Sequence, residues 1–69
     1  MAIEGYIRVV ALGTKKPYAA TLRRAELIDL GMYESVQQAQ VPIESAVGKH
    51  LHWELETHQD GTQVYVGTS

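Results

Sequence analysis

Along His50-Leu51-His52-Trp53-Glu54-Leu55-Glu56-Thr57, apolar side chains occupy 51, 53 and 55 while polar ones occupy 50, 52, 54 and 56. A period of two is the mark of a half-buried strand. Asp60-Gly61 follows, a pair that suits positive φ at both centres of a type I′ turn. Next comes Thr62-Gln63-Val64-Tyr65-Val66, rich in β-branched and aromatic residues. The pattern predicts a β-hairpin over 50–66. A two-residue turn at 60 and 61 pairs positions whose numbers sum to 121. Leu55 is then expected opposite Val66 and Thr57 opposite Val64, with both apolar sets on one face.

At the other end of the chain, Tyr6-Ile7-Arg8-Val9-Val10-Ala11-Leu12 is apolar on both faces, which suits a central strand over about 5–12. Gly13-Thr14-Lys15-Lys16-Pro17 ends it as a turn-rich connector. Tyr18 to Thr21 fits either a short second strand or a helix entry with Thr21 as N-cap. From Leu22 onward good helix formers dominate, and apolar residues recur at 22, 25, 28, 32, 36, 39, 43 and 46, in steps of three and four. Gly31 and Pro42 would cost about 1 and about 3 kcal/mol in a helix interior, so one straight helix is not expected. The spacing predicts a first helix over 22–30 ended by Gly31 and a second from about Tyr33. Pro42 either kinks the second helix or opens a last short turn that Gly48 closes.

These elements predict a single α+β domain over 1–69. A small antiparallel or mixed sheet, made of the N-terminal strand and the C-terminal β-hairpin, packs against a central helical segment over 22–47. Leu51, Trp53, Leu55, Val64 and Val66 are expected to meet Ile28, Val36, Ala39 and Ile43.

Composition sharpens the picture in two places. An apolar fraction of 45% argues for a folded chain, and the absence of cysteine excludes disulfides and cysteine-ligated zinc. A domain of 69 residues buries only about 60% of the surface its unfolded chain exposes, so its stability is expected to be marginal. Self-association as a homodimer is the expected remedy, with the backbone of Thr62 to Val66 as the pairing edge. No apolar run approaches the roughly 18 residues of a membrane span, and the first ten residues lack the features of a secretory signal. A cytoplasmic protein with no membrane partner is expected.

Charge divides along the chain. Through Arg24 there are Arg8, Lys15, Lys16, Arg23 and Arg24 against Glu4, a net +4; beyond it Lys49 stands against seven acidic residues, a net −6. Lys15, Lys16, Arg23 and Arg24 are therefore candidate phosphate contacts, with Tyr18 as a base-stacking platform. Against this stands a pI near 5.8, low for a nucleic-acid binder of this size. A winged-helix reading fares worse, because no Lys or Arg lies between Arg24 and Lys49 for a recognition helix. His50 and His52, roughly 7 Å apart on one strand face, are candidate metal ligands with Glu54 and Glu56 beside them. The competing reading is a polar strand face on which imidazoles sit among carboxylates.

Signatures of a cysteine nucleophile, a Gly-x-Ser-x-Gly elbow, a phosphate loop and His-Glu-x-x-His are all missing. No catalysis and no cofactor are expected. The composite expectation is a non-enzymatic interaction module, a homo-oligomeric accessory or regulatory protein that binds another protein. Nucleic-acid binding through the basic N-terminal third is the second choice.

Overall fold

The computed structural model describes residues 2–10 and 13–69; the predicted strand positions Ala11 and Leu12 lie outside them. The α+β class is observed. Among the described residues, five strands form one antiparallel sheet: β1 (Ile3–Val9), β2 (Tyr18–Arg23), β3 (Leu27–Tyr33), β4 (His52–Thr57) and β5 (Gln63–Thr68). Among the described residues a single helix, α1 (Val36–Val47), lies between β3 and β4 in the chain. The spatial order is β3-β2-β1-β5-β4, so the apolar N-terminal strand is central, as its two-sided pattern predicts.

Helix α1 packs over β2, with β1 and β3 on either side. Its start is capped by Ser35, whose hydroxyl accepts the Gln38 N–H at 3.1 Å, and Glu34 donates its N–H back to the Gln38 side chain at 3.3 Å. Its end is Gly48 in the left-handed conformation, donating its N–H to the Glu44 carbonyl at 2.8 Å. Pro42 is inside the helix and opens no separate turn. The core is Ile7, Ala20, Leu22, Ala39 and Ile43, flanked by Tyr18, Leu30, Tyr33, Val36, Leu51, Trp53 and Tyr65. Gly5 lets the helix come this close: a Cβ there would meet Ile43 Cγ2 at 2.7 Å and the Thr21 carbonyl oxygen at 2.8 Å.

Three expectations are corrected. The helix predicted over 22–30 does not form; Tyr18 to Arg23 is strand, Thr21 is no N-cap, and Leu27 to Leu30 begin the edge strand β3. Nine residues are too few for a self-supporting helix, and pairing with β2 satisfies this backbone in full register from Arg23↔Leu27 to Thr21↔Asp29. Ile28 accordingly stays 43% exposed and joins no core.

The hairpin register is the second correction. His58 donates its N–H to the Thr62 carbonyl at 2.8 Å and Gly61 donates to the His58 carbonyl at 3.0 Å, closing a three-residue loop. Gly61 alone of that loop has positive φ, +88°, which is the geometry of a type I turn followed by a left-handed residue. Asp60 accepts the Thr62 N–H at 2.9 Å, and bonding from Thr62 holds its carboxyl below the usual value. Pairs therefore sum to 120: Leu55 faces Tyr65, and Val64 and Val66 face Glu56 and Glu54. Val64 and Val66 lie on the sheet face away from the helix, not against it. Gly61→Ala is expected to cost about 1 to 2 kcal/mol, read as a lower urea midpoint at unchanged slope. No shift would mean that the loop does not need the left-handed residue.

The third correction concerns the edges. Strand β5 is enclosed between β1 and β4, so Thr62 to Val66 offers no free edge; the free edges belong to β3 and β4. Being central also explains why β5 carries apolar residues on both faces.

Candidate functional site on the open sheet face

Because Ile7, Ala20 and Leu22 point at the helix, alternation turns Tyr6, Arg8, Ala19, Thr21 and Arg23 to the opposite face. Register extends that face across the sheet in two rows. One runs Asp29, Thr21, Tyr6, Val66, Glu54; the other runs Met32, Ala19, Arg8, Val64, Glu56. No helix covers these rows among the described residues. Val64 and Val66 are nevertheless only 8% and 7% exposed, since each sits between longer side chains, Arg8 and Glu56 in one case and Tyr6 and Glu54 in the other. The aliphatic stems of Arg and Glu cover apolar floor while their charged heads stay in water.

A groove of about 460 Å³ is lined by Tyr6, Arg8, Thr21, Leu27, Asp29, Glu56, His58 and Val64. It reaches from the β3 edge, where Leu27 is 67% exposed, to the tip of the β4–β5 hairpin. At that tip His58 Nε2 lies 3.9 Å from Glu56. The floor is apolar, cations stand on β1 and β2, and carboxylates stand on both edge strands. Sequence reasoning missed this site because it placed Val64 and Val66 under the helix; Val64 and Val66 on one face of β5 with Tyr65 on the other were the available signal.

The basic residues of the N-terminal third are not brought together. Lys15 and Lys16 lie in the exposed loop before β2, while Arg23 ends that strand and Arg24 follows it, six strand residues or roughly 20 Å away. Arg24 binds Glu4 at 3.6 Å and donates to the Ala46 carbonyl at 3.4 Å, on the helix side, whereas Arg23 belongs to the open face. Tyr18 is half-buried and packs on the core.

The two histidines also part company. Strand β4 begins at His52, and His50, before it, has Nδ1 3.4 Å from a Glu44 carboxylate oxygen on α1. His52 pairs with Glu54 at 3.0 Å. Among the described residues no three His, Asp or Glu side chains converge as metal ligands would.

Glu44 emerges instead as a structural junction. One carboxylate oxygen accepts the Leu51 N–H at 2.8 Å and the Trp53 indole N–H at 3.1 Å, while the other faces His50. Partial burial opposes its charge, but these hydrogen bonds outweigh that cost and hold the carboxyl below its ordinary value. Trp53, thus tied to the helix, lies over Gly67, where an added Cβ would meet the indole ring at 2.7 Å.

Searches against protein-family models, curated proteins and solved structures find no match for this chain. No helix is long and apolar enough to cross a membrane among the described residues.

Proposed function

We propose that this chain is a non-enzymatic protein-interaction module, an accessory or regulatory subunit that docks through the open face of its sheet. One observation carries the reading. The helix covers one face of the sheet, while the other presents an apolar floor, an exposed Leu27 and Met32 at 67% and 44%, and charged rims around a groove. Such a layered arrangement, apolar centre within a polar margin, matches the anatomy of protein–protein interfaces. A sheet with one bare face is normal in antiparallel folds, but the bare face is then usually polar. Here its two central β5 positions are valines.

A matched pair of photo-crosslinking probes tests the reading. Leu27 on the open face and Val41 on the outer side of α1 are equally exposed, at 67% and 65%. A benzophenone side chain at 27 is expected to give a discrete adduct, with another protein or with a second copy, in cells expressing the chain; the same probe at 41 is not. Identical adducts from both positions, or an adduct from 41 alone, would overturn the open face as the docking surface.

A further inference from the structure

We infer that the open face docks a second copy of this chain, face to face, about a two-fold axis running parallel to the strands between β1 and β5. The inference rests on the reading of the open face as a docking surface, and adds the occupant and its orientation.

The charges and the breadth of the face choose the axis. Arg8 and Arg23 stand on β1 and β2, whereas Glu54 and Glu56 stand on β4, on the other side of β5. In a two-fold, face-to-face contact the axis lies in the interface, and every pairing occurs twice. An axis perpendicular to the strands lays β4 on β4, so that Glu54 and Glu56 meet their own copies. An axis along β1 sets Arg8 on Arg8 and places Asp29 of β3 over the glutamates of β4. Like charges face each other in both. An axis along β5 sets Arg8 over Glu56 of the second copy but lays only β1, β5 and β4 on it, leaving Arg23 of β2 beyond the contact. An axis between β1 and β5 lays β1 on β5 and β2 on β4. Tyr6 then covers Val66 of the second copy, Arg8 reaches Glu56, and Arg23 reaches Glu54, with all of these contacts repeated by symmetry.

Size admits this occupant. The molecule measures 32 × 25 Å in its two longer dimensions, which bounds the footprint at about 800 Å² per copy. A standard stable interface buries about that area per partner, so the contact lies at or below the standard size. The centre would be Tyr6, Val64 and Val66 and the rim would be ion pairs, so the pairs set orientation and the apolar centre supplies most of the affinity. Stacking two sheets in this way makes a sandwich with a helix on each outer side.

Charge exchange tests both parts of the inference. By sedimentation velocity over a hundredfold concentration range, the native chain is expected to approach twice its 7.7 kDa. A chain with Arg8→Glu and Arg23→Glu, and another with Glu54→Arg and Glu56→Arg, should each self-associate at least about tenfold more weakly. Mixed in equal amounts they should recover a one-to-one complex. Circular dichroism establishes that each variant is folded. An independent arm keeps the native charges: chains with Thr21→Cys and Glu54→Cys, mixed and oxidised, should yield the mixed disulfide in excess of either symmetrical one. A native chain that stays monomeric throughout overturns the inference, while an adduct of the Leu27 probe with a different protein would leave the docking reading standing. Self-association unaffected by both charge variants, or a statistical mixture of disulfides, places the contact elsewhere and overturns it equally.

Discussion

Replacing Ile43 by alanine is expected to abolish cooperative folding at ambient temperature. Ile43 is fully buried and, with Ile7, is one of the two largest side chains with no exposure, so it links α1 to β1 and β2. Truncating a buried isoleucine to alanine costs about 2 to 5 kcal/mol, from lost transfer energy and the cavity left behind. A core of this size rarely supplies more than about 3 to 5 kcal/mol of net stability, so the substitution consumes most or all of it. Collapse cannot relieve the cavity easily, because Gly5 and Ala20 beneath it have no side chain able to move in. Ile43→Val, at about 0.5 to 1.5 kcal/mol, should stay folded with a lower urea midpoint. A cooperative transition in Ile43→Ala within 1 kcal/mol of the native chain would show that α1 contributes far less to the fold than its packing indicates.

The same packing explains which parts of the architecture were legible in the residues. The second half of the helical segment and the two C-terminal strands fall where they are expected, because each has a clear period and a terminating glycine or turn; the N-terminal strand is central as its two-sided apolar run suggests, but runs Ile3–Val9 rather than over 5–12. Residues 22–30 are not, since Leu22, Ala25 and Ile28 satisfy a helical spacing while Leu22-Arg23 and Leu27-Ile28-Asp29-Leu30 also pair as strands. Local propensity could not decide between them. A free edge of β2 beside a segment too short for an independent helix does decide, and that is a tertiary fact. The hairpin register failed for a related reason: Asp-Gly serves a two-residue type I′ loop and a three-residue loop with glycine in the left-handed position equally well. One residue of difference exchanged the faces of β5 and with them the location of the candidate site. His50 and His52 look equivalent in sequence but are separated by the strand boundary, which gives one to α1 and leaves the other on β4.

Glu44 sets the second large expected effect, on stability and on its dependence on pH. Its carboxylate side chain is 18% exposed and joins the last turns of α1 to the start of the C-terminal hairpin through Leu51 N–H and the Trp53 indole. Removing an acceptor that leaves two half-buried donors unpaired costs about 1.5 to 3 kcal/mol, so Glu44→Ala should lower stability by about 2 kcal/mol. Gln at this position keeps the shape and one neutral acceptor, and should recover part of the loss. Because hydrogen bonding holds the folded carboxyl below the ordinary value of 4.5, its stabilisation is fully present above that pH. It is lost as pH falls through the lower folded value, where both states bind the proton alike. The native chain should therefore lose urea stability progressively below about pH 4.5, and Glu44→Gln should show a shallower acid limb. Trp53 provides the readout, since its indole donates directly to the titrating group and its fluorescence should change over the same interval. His50 is 99% exposed, so its attraction to Glu44 is screened by solvent and His50→Ala should leave the acid limb nearly unmoved. An acid limb flattened as much in His50→Ala as in Glu44→Gln would reverse the assignment, making the exposed ion pair rather than the Leu51 and Trp53 hydrogen bonds the source of the low carboxyl pKa, and a limb unchanged in Glu44→Gln would remove Glu44 as its source.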